Sequence, residues 1–394
     1  MIHPDSAYEL MIKDIKLMDF EEIEISNALG RVLYEDIYST LNSPPFDKSA
    51  MDGFAYNLQD EGKPLKIAGI IAAGDTKDYV VKNEDYVVKN EECIEIMTGA
   101  KIPIESDKVI QIENVTIKDG YLHFTPLNYA NIIYEAENLK KGDIVLPKII
   151  LKPQQIGILA SLGYDKVKVA KQPKVGIITT GTEIIDPGKP LKDGQIYNSN
   201  GSQIVAQLKN IYINPTYYGS VSDNPKSIQE TIKKALDEQD IVILSGGVSM
   251  GKYDFVPDSL KKNDVEIIFH KIAIKPGKPT LFGKKGDKYV FGLPGNPIST
   301  FIMFEVVIKP FIYKLMRMDF EPTLIKAKLS TDLKRKKTER FEYRPAEVKN
   351  GMIYPIKYLG SSHLNVLALA NGLIRFEKGK SFIPKGAELY VRQI

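Results

Sequence analysis

One stretch limits the fold more than any other: Asp240-Ile-Val-Ile-Leu-Ser-Gly-Gly-Val-Ser-Met-Gly-Lys-Tyr-Asp254. A short apolar run bounded by turn residues predicts a buried strand over 241–244. It leads straight into Ser245-Gly246-Gly247, with Ser249 and Gly251 close behind. A strand that ends in such a turn brings bare backbone N–H groups and hydroxyls to the end of a sheet, which is how proteins cradle anions such as phosphate. Asp254 follows at the expected start of the next helix. An anion cradle beside a carboxylate points to a phosphorylated ligand with a divalent cation.

The flanking sequence alternates strand and helix. A strand over Val175–Thr180 precedes a helix near 202–209, and a strand over 211–218 precedes a helix starting at Pro225. Asn224 is the expected N-cap of that helix, with Pro at its first position and Ile228, Ile232, Ala235 and Leu236 as its apolar face. Beyond Asp254 come another helix, a strand over 265–270, a hairpin of 280–283 with 289–292, and a helix from Pro297 capped by Asn296. This pattern predicts an open, mostly parallel sheet with helices on both faces, a three-layer αβα domain over residues 173–318.

At 394 residues the chain exceeds one ordinary core. The first forty residues are expected to be helical, with Ala7, Leu10, Met11, Ile15 and Leu17 on one face, until Asn42-Ser-Pro-Pro-Phe46 stops regular structure. Short β-rich runs follow (Val80-Val81, Val87-Val88, 93–97, 109–112, 121–124), separated by Gly, Asp and Asn turns. A helix over 153–162 is expected to return to the N-terminal one. From Asp319 the chain is β-rich and basic, a small β-barrel in which Lys334-Arg-Lys-Lys337 reads as a solvated loop. The expected domains are a discontinuous helical one (1–44 and 142–172), a β-rich one (45–141), the αβα domain (173–318) and the C-terminal barrel (319–394).

Composition narrows the function classes. Lys and Arg total 53 against 50 Asp and Glu, so nothing in the overall charge favours nucleic acid or an anionic membrane. A single cysteine, Cys93, excludes an internal disulfide and fits a reducing compartment; with four scattered histidines it argues against a Cys/His zinc site. Met1-Ile-His-Pro-Asp5 lacks the features of a signal peptide. The most apolar long stretch, 301–313, is interrupted by Glu305, Lys309 and Pro310 and reads as a buried helix. The expected location is the cytoplasm.

In open α/β sheets, ligands bind beyond the carboxyl ends of the strands. Here those ends carry Thr180-Gly-Thr-Glu183, Ser222-Asp223, Ser245-Gly-Gly with Asp254, Lys271 with Lys275-Pro-Gly-Lys278-Pro279, and Leu293-Pro-Gly-Asn-Pro-Ile-Ser299. Taken singly, the acids are ordinary helix caps, Gly246-Gly247 a tight turn and the lysine motif a stiff loop. Their gathering on one sheet edge makes the case for a site. Glu183 and Asp254 offer hard oxygen ligands for Mg²⁺, Lys271, Lys275 and Lys278 offer charge to phosphate or an oxyanion, and the helix start at Asn296–Pro297 adds N–H donors. Covalent catalysis is not indicated: no serine has a histidine in its motif, and Cys93 is far from the cluster in sequence. A second constellation, Pro44-Pro-Phe-Asp-Lys-Ser-Ala-Met-Asp-Gly-Phe-Ala55, presents Asp47, Ser49 and Asp52 in what is otherwise an interdomain loop.

These motifs carry a resemblance. Ala28-Leu-Gly-Arg-Val-Leu33, the Pro45–Ala55 segment, Met97-Thr-Gly-Ala100, Thr180-Gly-Thr-Glu183, Gly194-Gln-Ile-Tyr-Asn198, Ser245-Gly-Gly-Val-Ser249, Ala273-Ile-Lys-Pro-Gly-Lys-Pro279 and Gly292-Leu-Pro-Gly-Asn-Pro297 occur in the order found in the molybdopterin molybdenumtransferases, the MoeA and gephyrin E-domain family, which the chain resembles over nearly its whole length. The resemblance implies a central molybdopterin-binding αβα domain, and a transferase that takes adenylylated molybdopterin and molybdate or tungstate, uses Mg²⁺ and releases AMP. It implies a homodimer with a shared active site and names a molybdopterin adenylyltransferase as a further partner. Carried over by motif, the catalytic residues are Asp52, Glu183, Asp223, Asp254, Lys271, Lys275 and Lys278, with Glu183 and Asp254 on the metal. The binding residues are Ser245, Gly246, Gly247, Ser249, Pro294, Gly295, Asn296, Pro297 and Ser299, joined by Arg344 and Ser362 from the C-terminal domain. The competing readings are an adenylyltransferase, typically the αβα domain alone, and a binding or scaffold protein without turnover. Lys48 stands where the family usually has Asn, Asn138 where it has Asp, and Glu95 where Arg is common, all in the N-terminal half.

Overall fold

The structure, a computed structural model, describes residues 1–74, 87–249, 254–357, 360 and 362–394. The run at Val80-Val81 and the glycine at 251 lie outside the described residues. The chain divides into two compact units, one of residues 1–34, 148–153 and 166–394, the other of 35–147 and 154–165.

In the first unit, β1 (Val175–Thr180), β2 (Thr216–Val221), β3 (Ile241–Ser245), β4 (Glu266–Phe269), β5 (Leu281–Lys285) and β6 (Lys288–Leu293) form one sheet in the order β2-β1-β3-β6-β5-β4. The β2–β1, β1–β3 and β3–β6 pairings are parallel and only β5 runs against the rest. β1 and β3 are buried at every position, as apolar runs covered on both faces must be. Neighbouring residues face opposite layers. Ile177 and Ile243 join a cluster with Ile204 and Leu208 of α1 (Ser199–Lys209), whereas Ile178 and Val242 join Ile228, Ile232 and Leu236 of α2 (Pro225–Glu238) and Leu260 of α3 (Val256–Lys262). This two-sided burial is the three-layer αβα arrangement. α2 starts as its sequence dictates: the Asn224 side chain accepts from Lys226 N at 3.0 Å and Ser227 N at 3.2 Å, with Pro225 next. α4 (Pro297–Met303) continues through a π-helical turn, Phe304–Ile308, into Lys309–Leu315, giving the buried helix expected there.

Three local expectations fail. The N-terminal helix is only Pro4–Ile12; Lys13 is extended, Asp14 is left-handed at φ +55°, and Phe20–Glu24 pairs antiparallel with Lys166–Ala170. Ala7 and Met11 are buried, but Ile15 and Leu17 lie beyond the helix. The strand expected from Ile211 begins at Thr216, because Ile211 N and Ile213 N both bond back to Leu208 O and close the end of α1 instead. The basic run is no solvated loop at Arg335, which is 8% exposed and donates to the carbonyls of Lys380 and Arg340 at 2.7 and 2.8 Å.

C-terminal strands Leu324–Leu329, Phe341–Lys349, Met352–Pro355, Gly372–Phe376 and Glu388–Gln393 close on themselves into a five-stranded barrel around Leu329, Ala346, Ile353, Ile374, Phe376 and Val391. Ile274–Lys275 pairs in parallel with Phe341 and Glu342, tying the lysine loop to the barrel wall.

The second unit is built on a six-stranded sheet in the order Lys108–Gln111, Gly53–Tyr56, Glu92–Ile96, Leu65–Ile71, Tyr121–Phe124, Val115–Lys118. Cys93 is buried in it, and that burial pushes its thiol up to about 12, far from a reactive thiolate. The helix expected from Pro153 is present as Pro153–Ser161. Among the described residues, no helix is long and apolar enough to cross a membrane.

Candidate active site: two adjoining cavities

The carboxyl ends of β1, β3 and β6 open on a cavity of about 490 Å³. Its floor is the Ser245-Gly246-Gly247 turn. Gly246 has φ +97°, and a Cβ there would lie 2.4 Å from Thr180 O, so the turn needs glycine for both conformation and space. Gly246 N bonds Leu293 O and Val256 N bonds Gly247 O, each at 3.2 Å, fastening the turn to β6 and α3. Asn200, in the first turn of α1, donates to Ser245 Oγ at 2.9 Å and to Gly295 O at 2.7 Å, bracing two of the strand-end loops.

Three carboxylates line this cavity: Glu183, Asp223 and Asp254. Asp223 accepts from Thr182 N at 3.0 Å and its own N–H donates to Thr182 Oγ1 at 3.1 Å, so the loops after β1 and β2 are locked together. Behind them, Asn198 donates to Tyr217 OH at 2.6 Å and to Asp186 Oδ1 at 3.1 Å, and Tyr217 OH donates to Asp186 at 2.8 Å. Burial alone would raise the Asp186 carboxyl; hydrogen bonds from Tyr217, Asn198 and Ser220 outweigh it and hold the group below the usual carboxylate range. Asn198 Oδ1 also caps α1 through Gly201 N at 2.9 Å.

A second cavity, about 730 Å³, adjoins the first and shares Pro279, Pro294 and Asn296 with it. Among the described residues its charge is opposite. Lys275, Lys278, Arg340, Arg344 and Lys357 line it against one carboxylate, Glu342. Glu342 is 1% exposed and binds Lys275 Nζ and Arg344 Nε at 3.1 Å each through Oε1, with Arg335 Nη1 at 3.5 Å from Oε2. Burial would raise this carboxyl, but Arg344 and Lys275 win and hold it below its ordinary value. Gly277, at φ +121°, packs so closely on α4 that a Cβ would lie 2.3 Å from Met303 Sδ.

The expected residues sort between the cavities. Glu183, Asp223, Asp254, Ser245, Gly246, Gly247, Ser249, Pro294, Gly295 and Asn296 line the first; Lys275, Lys278, Ser299 and Arg344 line the second, with Asn296 and Pro294 common to both. Lys271, Pro297 and Ser362 line neither. Asp52 belongs to the other unit, where it accepts from Thr98 N at 2.6 Å and Thr98 Oγ1 at 2.7 Å. These bonds, the backbone one foremost, hold its carboxyl below the usual range and join two of the sequence motifs. There too, Asp47 accepts from Glu135 N at 2.6 Å, and Lys48 pairs with Ile133, so the Pro45–Ala55 segment lies beside residues 133–135.

Asn200, Glu342 and Arg340 line the cavities although no sequence motif singles them out. The alternation Arg340-Phe-Glu-Tyr-Arg344 on a strand that starts at Phe341 is the available signal, since it puts Glu342 and Arg344 on one face. Among the described residues no group of three or more His, Cys, Asp or Glu side chains is arranged to hold a metal ion by itself. Hard oxygen donors that line one cavity still suit Mg²⁺, which usually takes one or two carboxylates and completes its shell with substrate phosphate and water.

Three family profiles cover the chain: "MoeA N-terminal region (domain I and II)" at 2–163, "Probable molybdopterin binding domain" at 176–314 and "MoeA C-terminal region (domain IV)" at 326–394. A molybdopterin molybdenumtransferase of Staphylococcus epidermidis is 35% identical over 376 residues, 91% of this chain and 87% of that one. One of Haemophilus influenzae is 38% identical over 324 residues, 80% of this chain and 78% of that one. The crystal structure of the molybdopterin biosynthesis moeA protein from Pyrococcus horikoshii OT3 matches with a TM-score of 0.85 at 31% identity, covering both chains in full.

Proposed function

The chain belongs to the MoeA family of molybdopterin molybdenumtransferases, enzymes of molybdenum-cofactor biosynthesis, and on that footing we propose that it transfers the metal of molybdate, or of tungstate, to adenylylated molybdopterin with release of AMP. One observation carries the reading: two adjoining cavities of opposite character, one lined by three carboxylates and a Gly-Gly turn, the other by five cations around one carboxylate. The first suits a phosphorylated ligand with a divalent cation, the second a tetrahedral oxyanion.

In this reading the oxyanion is a substrate held by Lys275, Lys278, Arg344 and Ser299. Lysine and arginine supply charge and directed donors, and the Ser299 hydroxyl adds a neutral one. Glu342 keeps Lys275 and Arg344 fixed while leaving the pocket in positive excess. The pterin and its phosphates take the first cavity, where the Ser245-Gly246-Gly247 turn allows close backbone approach. Glu183 and Asp254 would hold Mg²⁺, which when bound neutralises phosphate charge. Cleavage of the phosphoanhydride asks of the protein mainly positioning and charge stabilisation, and Lys275 and Lys278 of the adjoining second cavity supply positive charge to the departing phosphate. Asp52 completes the site from the partner subunit of a homodimer.

The test is AMP release from adenylylated molybdopterin by the purified protein with Mg²⁺, with and without molybdate or tungstate. Oxyanion-dependent release is the expected result, and the more effective oxyanion identifies the metal. Binding without release under either oxyanion would replace the transferase by a molybdopterin-binding protein.

A further inference from the structure

Of the three carboxylates lining the first cavity, Glu183 is held least directly. Among the described residues its carboxylate has no hydrogen-bond or ion-pair partner, whereas Asp223 is locked to Thr182. The Glu183 oxygens fold back over Gly181, where a Cβ would lie 3.0 and 3.1 Å from them. Its carbonyl accepts from Ile196 N at 2.9 Å. The direction of this carboxylate is therefore set by the backbone of its loop and by the groups that anchor the loop at each end.

The upstream anchor is Asp223, which accepts from Thr182 N at 3.0 Å and Thr182 Oγ1 at 3.3 Å. The downstream anchor is Asp186. Its Oδ1 accepts from Tyr217 OH at 2.8 Å, Asn198 Nδ2 at 3.1 Å and Ser220 Oγ at 3.3 Å. Tyr217 and Ser220 stand on β2, and Asn198 caps α1, so the loop is tied to two elements of the αβα core. Thr179 of β1 joins the same group, accepting from Asn198 at 2.9 Å and lying 3.0 Å from Ser220 Oγ. Just before Asp186, Ile184–Ile185 pairs in parallel with Ile196–Tyr197, and Asn198 N bonds Ile185 O at 2.8 Å. Asp186 is not among the residues lining the cavity. Resting on the proposed function, in which Glu183 holds Mg²⁺, we propose that Asp186 is a positioning residue for that cation, fixing the loop of Glu183 from behind without touching metal or substrate. All three side-chain bonds go to one oxygen of Asp186, so the task asks for an acceptor at that place rather than for its charge.

The experiment uses Mn²⁺ as the probe, its binding to the full chain in the presence of AMP read from loss of the free-ion EPR signal, with a thermal melt of each metal-free protein. Asp186→Ala should weaken Mn²⁺ binding about tenfold, the usual cost of losing a group that orients a metal ligand. Asp186→Asn keeps an oxygen for the same donors and should bind nearly as well as the unaltered chain. Tyr217→Phe keeps the ring, loses the shortest bond to Asp186 and should fall between the two. Introduced into Glu183→Ala, Asp186→Ala should cost no further affinity, because the group it orients is gone. A lower melt in Asp186→Ala with unchanged Mn²⁺ affinity would overturn the proposal by leaving Asp186 a purely structural role. Additive losses in the double variant, or Asp186→Asn binding as weakly as Asp186→Ala, would overturn it by making Asp186 an independent source of negative charge. If Asp186→Ala does not fold, Tyr217→Phe decides, and unchanged Mn²⁺ affinity there counts against the proposal. Should Glu183→Ala bind Mn²⁺ as tightly as the unaltered chain, the metal assignment in the proposed function falls, and the role of Asp186 with it.

Discussion

Glu342 shows how much one side chain can decide. A carboxylate at 1% exposure would be prohibitive in isolation, yet here it is the shared counter-ion of Lys275, Arg335 and Arg344. Removing its charge leaves a nearly buried guanidinium, Arg335, with backbone carbonyl acceptors but no counter-charge, so Glu342→Gln should lower unfolding stability by roughly 3 kcal/mol near neutral pH, read from urea denaturation. The sign with pH follows from the lowered folded-state value. The contribution is complete above the ordinary 4.5 and is lost as pH falls through the depressed value. The unaltered chain should therefore lose stability more steeply than Glu342→Gln below about pH 4.5. In turnover, the same change should raise the KM for molybdate more than it lowers kcat, because Lys275 and Arg344 lose the group that orients them. Glu342 is only partly legible in the sequence: the alternation Arg340-Phe-Glu-Tyr-Arg344 sets it on one face with Arg344, but its pairing with Lys275 joins residues far apart along the chain and leaves no local trace.

At the level of elements, the strand-turn unit of β3 is readable because every requirement in it is local. The apolar run sets the strand, and the glycines set the turn. Gly246→Ala should confirm this: a Cβ 2.4 Å from a backbone carbonyl, at a φ of +97°, cannot be relieved by a side-chain rotation. A loss of at least about 2 kcal/mol in stability is expected, with loss of molybdopterin binding, measured by melting and by direct titration. The cap of α2 is equally legible in Asn224-Pro225. The N-terminal region is not. Its apolar spacing continues past Ile12, but Asp14 adopts a left-handed conformation and the chain turns into a strand whose partner, Lys166–Ala170, is more than a hundred residues away. Helical periodicity competes there with non-local pairing, and pairing wins.

For the whole molecule, the prediction concerns Asp52. It is held by Thr98 in the unit that does not contain the two cavities, and the proposed function brings it to the site from a second copy. Asp52→Ala and Glu183→Ala should each be inactive alone. Co-purified mixed dimers should regain roughly a quarter of the unaltered activity when subunits pair at random, since half the dimers are mixed and each keeps one intact site; mixtures that stay inactive would exclude a shared site. The order of the αβα elements, the strand ends that carry the carboxylates and lysines, and the family are all legible along the chain, because strand runs, caps and glycine turns are short-range and survive as contiguous motifs. How those motifs divide is settled only by folding. Carboxylates and Gly-Gly gather at one cavity and lysines at the next, since the parallel pairing of Ile274–Lys275 with Phe341–Glu342 draws the lysine loop onto the barrel. Folding also decides which polar atoms remain unpaired there, because hydrogen-bond satisfaction depends on groups brought together from separate strand ends, and no spacing along the chain encodes it.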